Sequence, residues 1–205
     1  MLLKNKSFQI NDYIIPTFTL AKGEMIRFWV ETIPIVGDNN NDWGTHKMEE
    51  VIHFLNQKSK TIKKCPNKIK RSVVDYLTPI STGKYLQQKF GFSAKEIEIT
   101  LSSFGIKPAY KIKDLGAKHQ KIFSIICAFQ KNEIVAYDYY GLAPNTEKRL
   151  TAFVKNEIAK GKAAISFDHL HYKPEKSDTE KIINLEIRRH GTTSSLHSLK
   201  NKSIY

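Results

Sequence analysis

Between residues 114 and 170 the apolar and polar positions fix four elements. Ile122, Ile125, Ile126 and Phe129 recur at i, i+3, i+4 and i+7, one face of a helix. Glu133 to Asp138 is a short apolar run ending in an acid, the form of a strand buried on both faces. Pro144, Asn145, Thr146 and Glu147 read as a helix start, Leu150, Phe153, Val154 and Ile158 as its apolar stripe, and Gly161 as its stop. Lys162 to Phe167 is a second buried strand. Strand, helix and strand make a βαβ unit, which predicts an α/β fold: a mainly parallel sheet with flanking helices.

The pattern upstream is shorter in period. Phe8, Ile10 and Ile14 alternate loosely with polar residues and predict one half-exposed strand, with Phe18 and Leu20 in a second. Residues 21–24 form a turn, and Met25 to Val30 a buried strand. Met48, Val51, Ile52 and Leu55 mark a helix face. Gln57 to Arg71 reads as a lysine-rich connecting loop around Cys65-Pro66, and Ser72 to Leu77 as a strand. Thr82 to Phe90 is a short helix, and Ile97, Leu101 and Phe104 mark another, closed by Gly105. Past Leu170 the chain turns polar, then Lys181 to Ile187 reads as a strand at a sheet edge. The expected organisation is one domain over residues 1–187 and a basic polar tail at 188–205.

The motifs on these elements resemble the ATPase domain of ATP-binding-cassette (ABC) transporters. Leu115-Gly116-Ala117-Lys118-His119 is similar to the signature loop that opens a helix in that family. Tyr137-Asp138-Tyr139-Tyr140-Gly141-Leu142-Ala143-Pro144 is similar to the Walker B acid pair and the turn after it. Ser166-Phe167-Asp168-His169-Leu170 is similar to the histidine switch, and the spacings between the three also match. The resemblance implies a P-loop NTPase-like fold with a small N-terminal antiparallel β part and a reduced helical subdomain at 72–120.

The departures from that pattern bear on function. The catalytic glutamate position holds Tyr139, which cannot act as a carboxylate base. The acid of the turn is Ala143. The switch histidine position holds Asp168, with His169 one place later. The signature serine and glycines are Gly116, Ala117 and Lys118. A phosphate loop needs G-x-x-x-x-G-K-[ST], with backbone amides and a lysine around the phosphates. After Val30 the chain instead reads Glu31 in the first glycine's place and Gly37 within a longer Asp/Asn-rich loop. Gly44-Thr45-His46-Lys47 is the nearest echo. The resemblance therefore implies a catalytically degenerate nucleotide-binding-domain-like subunit without metal or resident cofactor. Its implied place is beside a transporter membrane subunit or an active ABC ATPase subunit, cytoplasmic, at the inner face of the membrane through that partner. A second reading keeps weak Mg-ATP binding through Asp138, Lys47 or Lys118. A third makes the chain a basic nucleic-acid-binding module on the same fold.

Composition narrows these only a little. The 205 residues carry a net charge of +13, which suits a nucleic acid, an anionic membrane surface or a solvated surface with no specific partner. The lysines are spread along the chain and no interleaved basic-aromatic motif appears, so the nucleic-acid signal is not strong. No apolar run of about 18 residues exists. The first six residues lack the apolar core of a signal peptide. Two cysteines, Cys65 and Cys127, are too few for a disulfide framework. His169 and His171 share one side of a strand but lack a third metal ligand nearby. No G-x-S-x-G elbow marks a nucleophilic serine. Trp29 reads as core, while Trp43 stands in the polar loop.

Overall fold

The computed structural model describes residues 1–10, 13–31, 48–59, 61–69, 79–170 and 182–189. Its strands are β1 (Leu3–Asn5), β2 (Phe8–Ile10), β3 (Tyr13–Ile15), β4 (Phe18–Leu20), β5 (Met25–Glu31), β6 (Ile62–Lys64), β7 (Ile134–Asp138), β8 (Ala163–Leu170) and β9 (Ile182–Arg189). Its α-helices are α1 (Met48–Ser59), α2 (Thr82–Phe90), α3 (Ala94–Ser102), α4 (Ala117–Lys131) and α5 (Pro144–Ala159), with a 3-10 turn at Ile112–Asp114.

One sheet runs in the order β2-β3-β9-β5-β8-β7-β6, and β1 pairs with β4 separately. From β9 to β6 every neighbouring pair is parallel, whereas β2, β3 and β9 meet antiparallel. The alternation along β7 explains why its residues are apolar almost without break. Val135 and Tyr137 enter the core formed with α4 and α5. Ile134 and Ala136 enter the core shared with α1 and the β1–β4 pair. A strand covered on both faces has no position left for a polar residue until it reaches an end. α1 lies on one face, and α4 and α5 lie on the other. Chains that leave neighbouring strands toward opposite faces open a crevice at the carboxyl edge, where α/β sheets place ligand sites.

The helical part stands on the α4 face. α2 is capped by the Ser81 side chain and closed by Gly91 in the left-handed conformation, and α3 carries a Ser93–Glu96 capping box. Gly83 and Thr82 donate backbone hydrogen bonds to Pro108 O at 2.9 Å and Tyr110 O at 2.8 Å. A Cβ on Gly83 would lie 2.9 Å from Pro108 Cβ, so glycine is what allows this approach.

Four expectations need correction. Residues 8 to 14 form a hairpin, β2 and β3, rather than one strand. The lysine-rich connector holds the end of α1 and the strand β6, whose three residues are too few for a period to show. β9 lies inside the sheet between β3 and β5, not at an edge. It also continues through Arg188 and Arg189, two residues into the expected tail, where they pair with Ile14 and Tyr13. The strand expected at Ser72 to Leu77, the loop with Trp43, and residues 190–205 lie outside the described residues. Trp29 is buried as expected. No helix among the described residues is long and apolar enough to cross a membrane.

Candidate functional site

β7 delivers Asp138 to the carboxyl edge of the sheet, almost wholly buried. The register along β7 turns this side chain away from the α4–α5 core that takes Tyr137. Its Oδ1 accepts a hydrogen bond from the Tyr140 amide at 2.9 Å and another from the ammonium of Lys121 on α4. The Lys121 Nζ also donates to the Tyr140 carbonyl at 2.8 Å. One buried ammonium thus sits between two oxygens, and it ties the start of α4 to the end of β7.

Nearby, the first turn of α1 carries Glu49 and Glu50. Negative side chains there meet the positive end of the helix dipole. Glu49 is ion-paired with Lys64, the last residue of β6. Partial burial holds the Lys64 ammonium below the usual lysine range, and the negative charge of Asp138 works against that shift. These side chains, with Ile52 and His53, line an open depression beside the sheet edge.

Tyr139, the next residue, points the other way. It is buried in the α4–α5 core, and its hydroxyl is 3.0 Å from the Tyr137 hydroxyl and 2.8 Å from Thr151 Oγ1 on α5. The Arg27 guanidinium lies 5.6 Å from the Tyr139 ring centre. Beyond it Gly141 takes φ 75°, which makes the tight turn, and Leu142 is buried. Ala143 is the N-cap of α5 and has no side chain able to cap it. Burial pushes the Glu147 carboxyl in the first turn of α5 up, and Arg27 pulls it back.

In the signature-like stretch, Leu115 packs in the core, while Gly116, Ala117 and Lys118 are exposed and His119 is half-buried. Gly116 is the N-cap of α4, again without a side-chain cap, and the first turn contains no acid. Lys118 there faces the positive end of the dipole, an unfavourable place for a cation.

Of the residues singled out by sequence, Asp138 is the one the structure ties to α4, through Lys121. Sequence reasoning had passed over Lys121. Its signal was a lysine in line with Ser124, Ile125 and Ala128, a stripe of α4 that is otherwise buried. Glu31 ends β5, its backbone in register with Leu170. Asp168 and His169 lie on β8, in backbone register with Trp29 and Val30. Gly37, Gly44, Thr45, His46, Lys47 and His171 lie outside the described residues.

A divalent metal does not fit at Asp138 in this arrangement. An ammonium already fills the cradle, and a metal beside it would be repelled. Among the described residues no group of three or more His, Cys, Asp or Glu side chains could hold an ion.

No protein-family model matches the sequence, and no curated protein sequence matches it. Solved structures are similar in fold. An ATP-binding subunit of an ABC transporter superposes with a TM-score of 0.50 at 16% identity, covering 83% of this chain and 80% of its own. A putative ABC transporter ATP-binding protein from Pyrococcus furiosus gives 0.54 at 16% identity, covering 90% and 94%. A structure of RNase-L Inhibitor gives 0.52 at 13% identity, covering 76% of this chain but 31% of its own. The mixed α/β architecture, with its mainly parallel sheet and flanking helices, is that of ABC ATPase domains.

Proposed function

We propose that this chain is a nucleotide-binding-domain-like subunit that does not hydrolyse ATP and acts by shape. Its partner in this reading is a transporter membrane subunit or an active ABC ATPase subunit, and it serves there as a regulatory or structural component, needing no resident cofactor. The observation that carries the reading is Tyr139. In the resembled family the residue after the strand's aspartate is the catalytic glutamate. Here that residue is a tyrosine turned into the core and bonded to Tyr137 and Thr151. No carboxylate is left at that position to orient an attacking water. Phosphoryl transfer depends on positioning and electrostatics, so the loss removes most of the rate.

The acids Glu49 and Glu50 at the start of α1 support the same reading. In a P-loop fold the corresponding helix end receives phosphate. Two carboxylates there, even with Glu49 ion-paired to Lys64, disfavour a triphosphate.

An ATPase assay on the purified chain tests the proposal. The expected result is phosphate release no faster than the blank. Turnover of about one per second, an ordinary enzyme rate, abolished by Asp138→Asn, would refute it.

A further inference from the structure

We infer that Lys121 is a tethered cation: its ammonium permanently occupies the seat where this fold would hold a divalent metal. Two oxygens define the seat, Asp138 Oδ1 at the end of β7 and the Tyr140 carbonyl two residues on. A carboxylate and a carbonyl are the hard oxygen donors that magnesium or manganese takes, with water completing the shell. The lysine approaches from α4, which is seventeen residues back in sequence, and its side chain is 9% exposed against 2% for Asp138.

The lysine is not a chance surface contact. An ammonium this far from water is lost to solvation unless its partners replace the water it gives up. Both partners are on one short stretch, and Asp138 Oδ1 is itself fixed by the Tyr140 amide. The cradle is therefore preorganised around a positive charge, and the chain supplies that charge itself.

The consequence is a fold that needs no metal to hold the β7 end and the start of α4 together. A metal-dependent domain would fix this junction only when loaded, whereas this chain fixes it always.

The inference rests on the functional reading above only for the identity of the displaced group. ATP hydrolysis by the wild-type chain would sink that reading. The test below addresses the seat alone.

Thermal unfolding is recorded for the wild-type chain, Lys121→Met and the double variant Lys121→Met/Asp138→Asn, each with EDTA, millimolar magnesium chloride or millimolar manganese chloride. Lys121→Gln, which keeps a donor for the Tyr140 carbonyl but no charge, serves as a second single variant. The wild-type midpoint is expected to be the same in all three solutions. Each single variant is expected to unfold at least about 5 °C lower in EDTA and to recover part of that loss with manganese. The double variant is expected to show no metal response. Single variants that melt like wild type would overturn the inference. So would a manganese effect of equal size in the double variant, or a wild-type chain stabilised by metal.

Discussion

Lys121 and Asp138 form an ion pair between α4 and β7 with both side chains nearly out of water, 9% and 2% exposed. Such a pair adds little stability over a well-packed apolar pair, but half of it is costly to keep. Lys121→Met or Asp138→Asn alone strands one buried partner, and the loss expected is about 3–5 kcal/mol. The double variant is expected to lose less than the worse single change. A urea double-mutant cycle measures this, and additive losses would show that the two residues are not coupled.

Tyr139 is a core residue, so a glutamate there, the acid of the resembled ATPase domains, is expected to harm the fold without creating catalysis. Tyr139→Glu places a carboxylate in that buried apolar cluster, beside the Tyr137 ring. We expect a large drop in the thermal midpoint and no ATP turnover. Tyr139→Phe removes only the hydroxyl and leaves those of Tyr137 and Thr151 short of one partner, for a loss of about 1–2 kcal/mol. Urea unfolding separates the two outcomes.

Ala143 is the uncapped N-cap of α5, with extended backbone at φ −73° and ψ 152°. Aspartate suits that geometry and can accept a hydrogen bond from the Thr146 amide. Ala143→Asp is expected to stabilise the chain by about 1 kcal/mol, with a further contribution from the helix dipole. A chemical unfolding midpoint unchanged or lowered by the substitution would contradict the capping geometry.

Cys65 and Cys127 are both buried and unpaired. Burial pushes the Cys127 thiol up to about 12 and raises Cys65 further still. Both therefore stay protonated in the folded chain at a pH where the unfolded chain ionises them. Their contribution to stability is whole below the unfolded thiol value of about 8.5. It declines as pH rises from there toward the folded values, by up to about 1.4 kcal/mol per pH unit for each thiol. Urea midpoints between pH 8 and pH 10 test the sign, and replacing both cysteines with alanine is expected to flatten the slope. A thiol reagent at pH 8 is expected to label neither residue until the chain unfolds.

Much of this architecture was legible in the pattern of apolar residues. α4, β7, α5 and β8 are long, or buried on both faces, so their periods stand out and their order alone implies parallel pairing. The direction of Tyr139 was implicit as well, since it shares a face with Val135 and Tyr137 at period two. What stayed hidden depends on partners distant in sequence. β6 has three residues and is a strand only because β7 lies beside it. β9 looked like an edge because nothing in its own residues says that β5 and β3 flank it. The pairing of Glu49 with Lys64 and the seat of Lys121 arise where separate elements converge, and a linear pattern does not record that. A lysine on a buried helical stripe and an acid ending a buried strand were each visible, but only the fold joins them.

The most direct test of the central claim is a thermal unfolding titration of the wild-type chain with Mg-ATP. We predict a constant midpoint up to millimolar nucleotide. A ligand at about a hundred times its dissociation constant would add about 2.7 kcal/mol, or about 5–10 °C for a chain of this size. A rise of that order, lost in Asp138→Asn, would contradict the account.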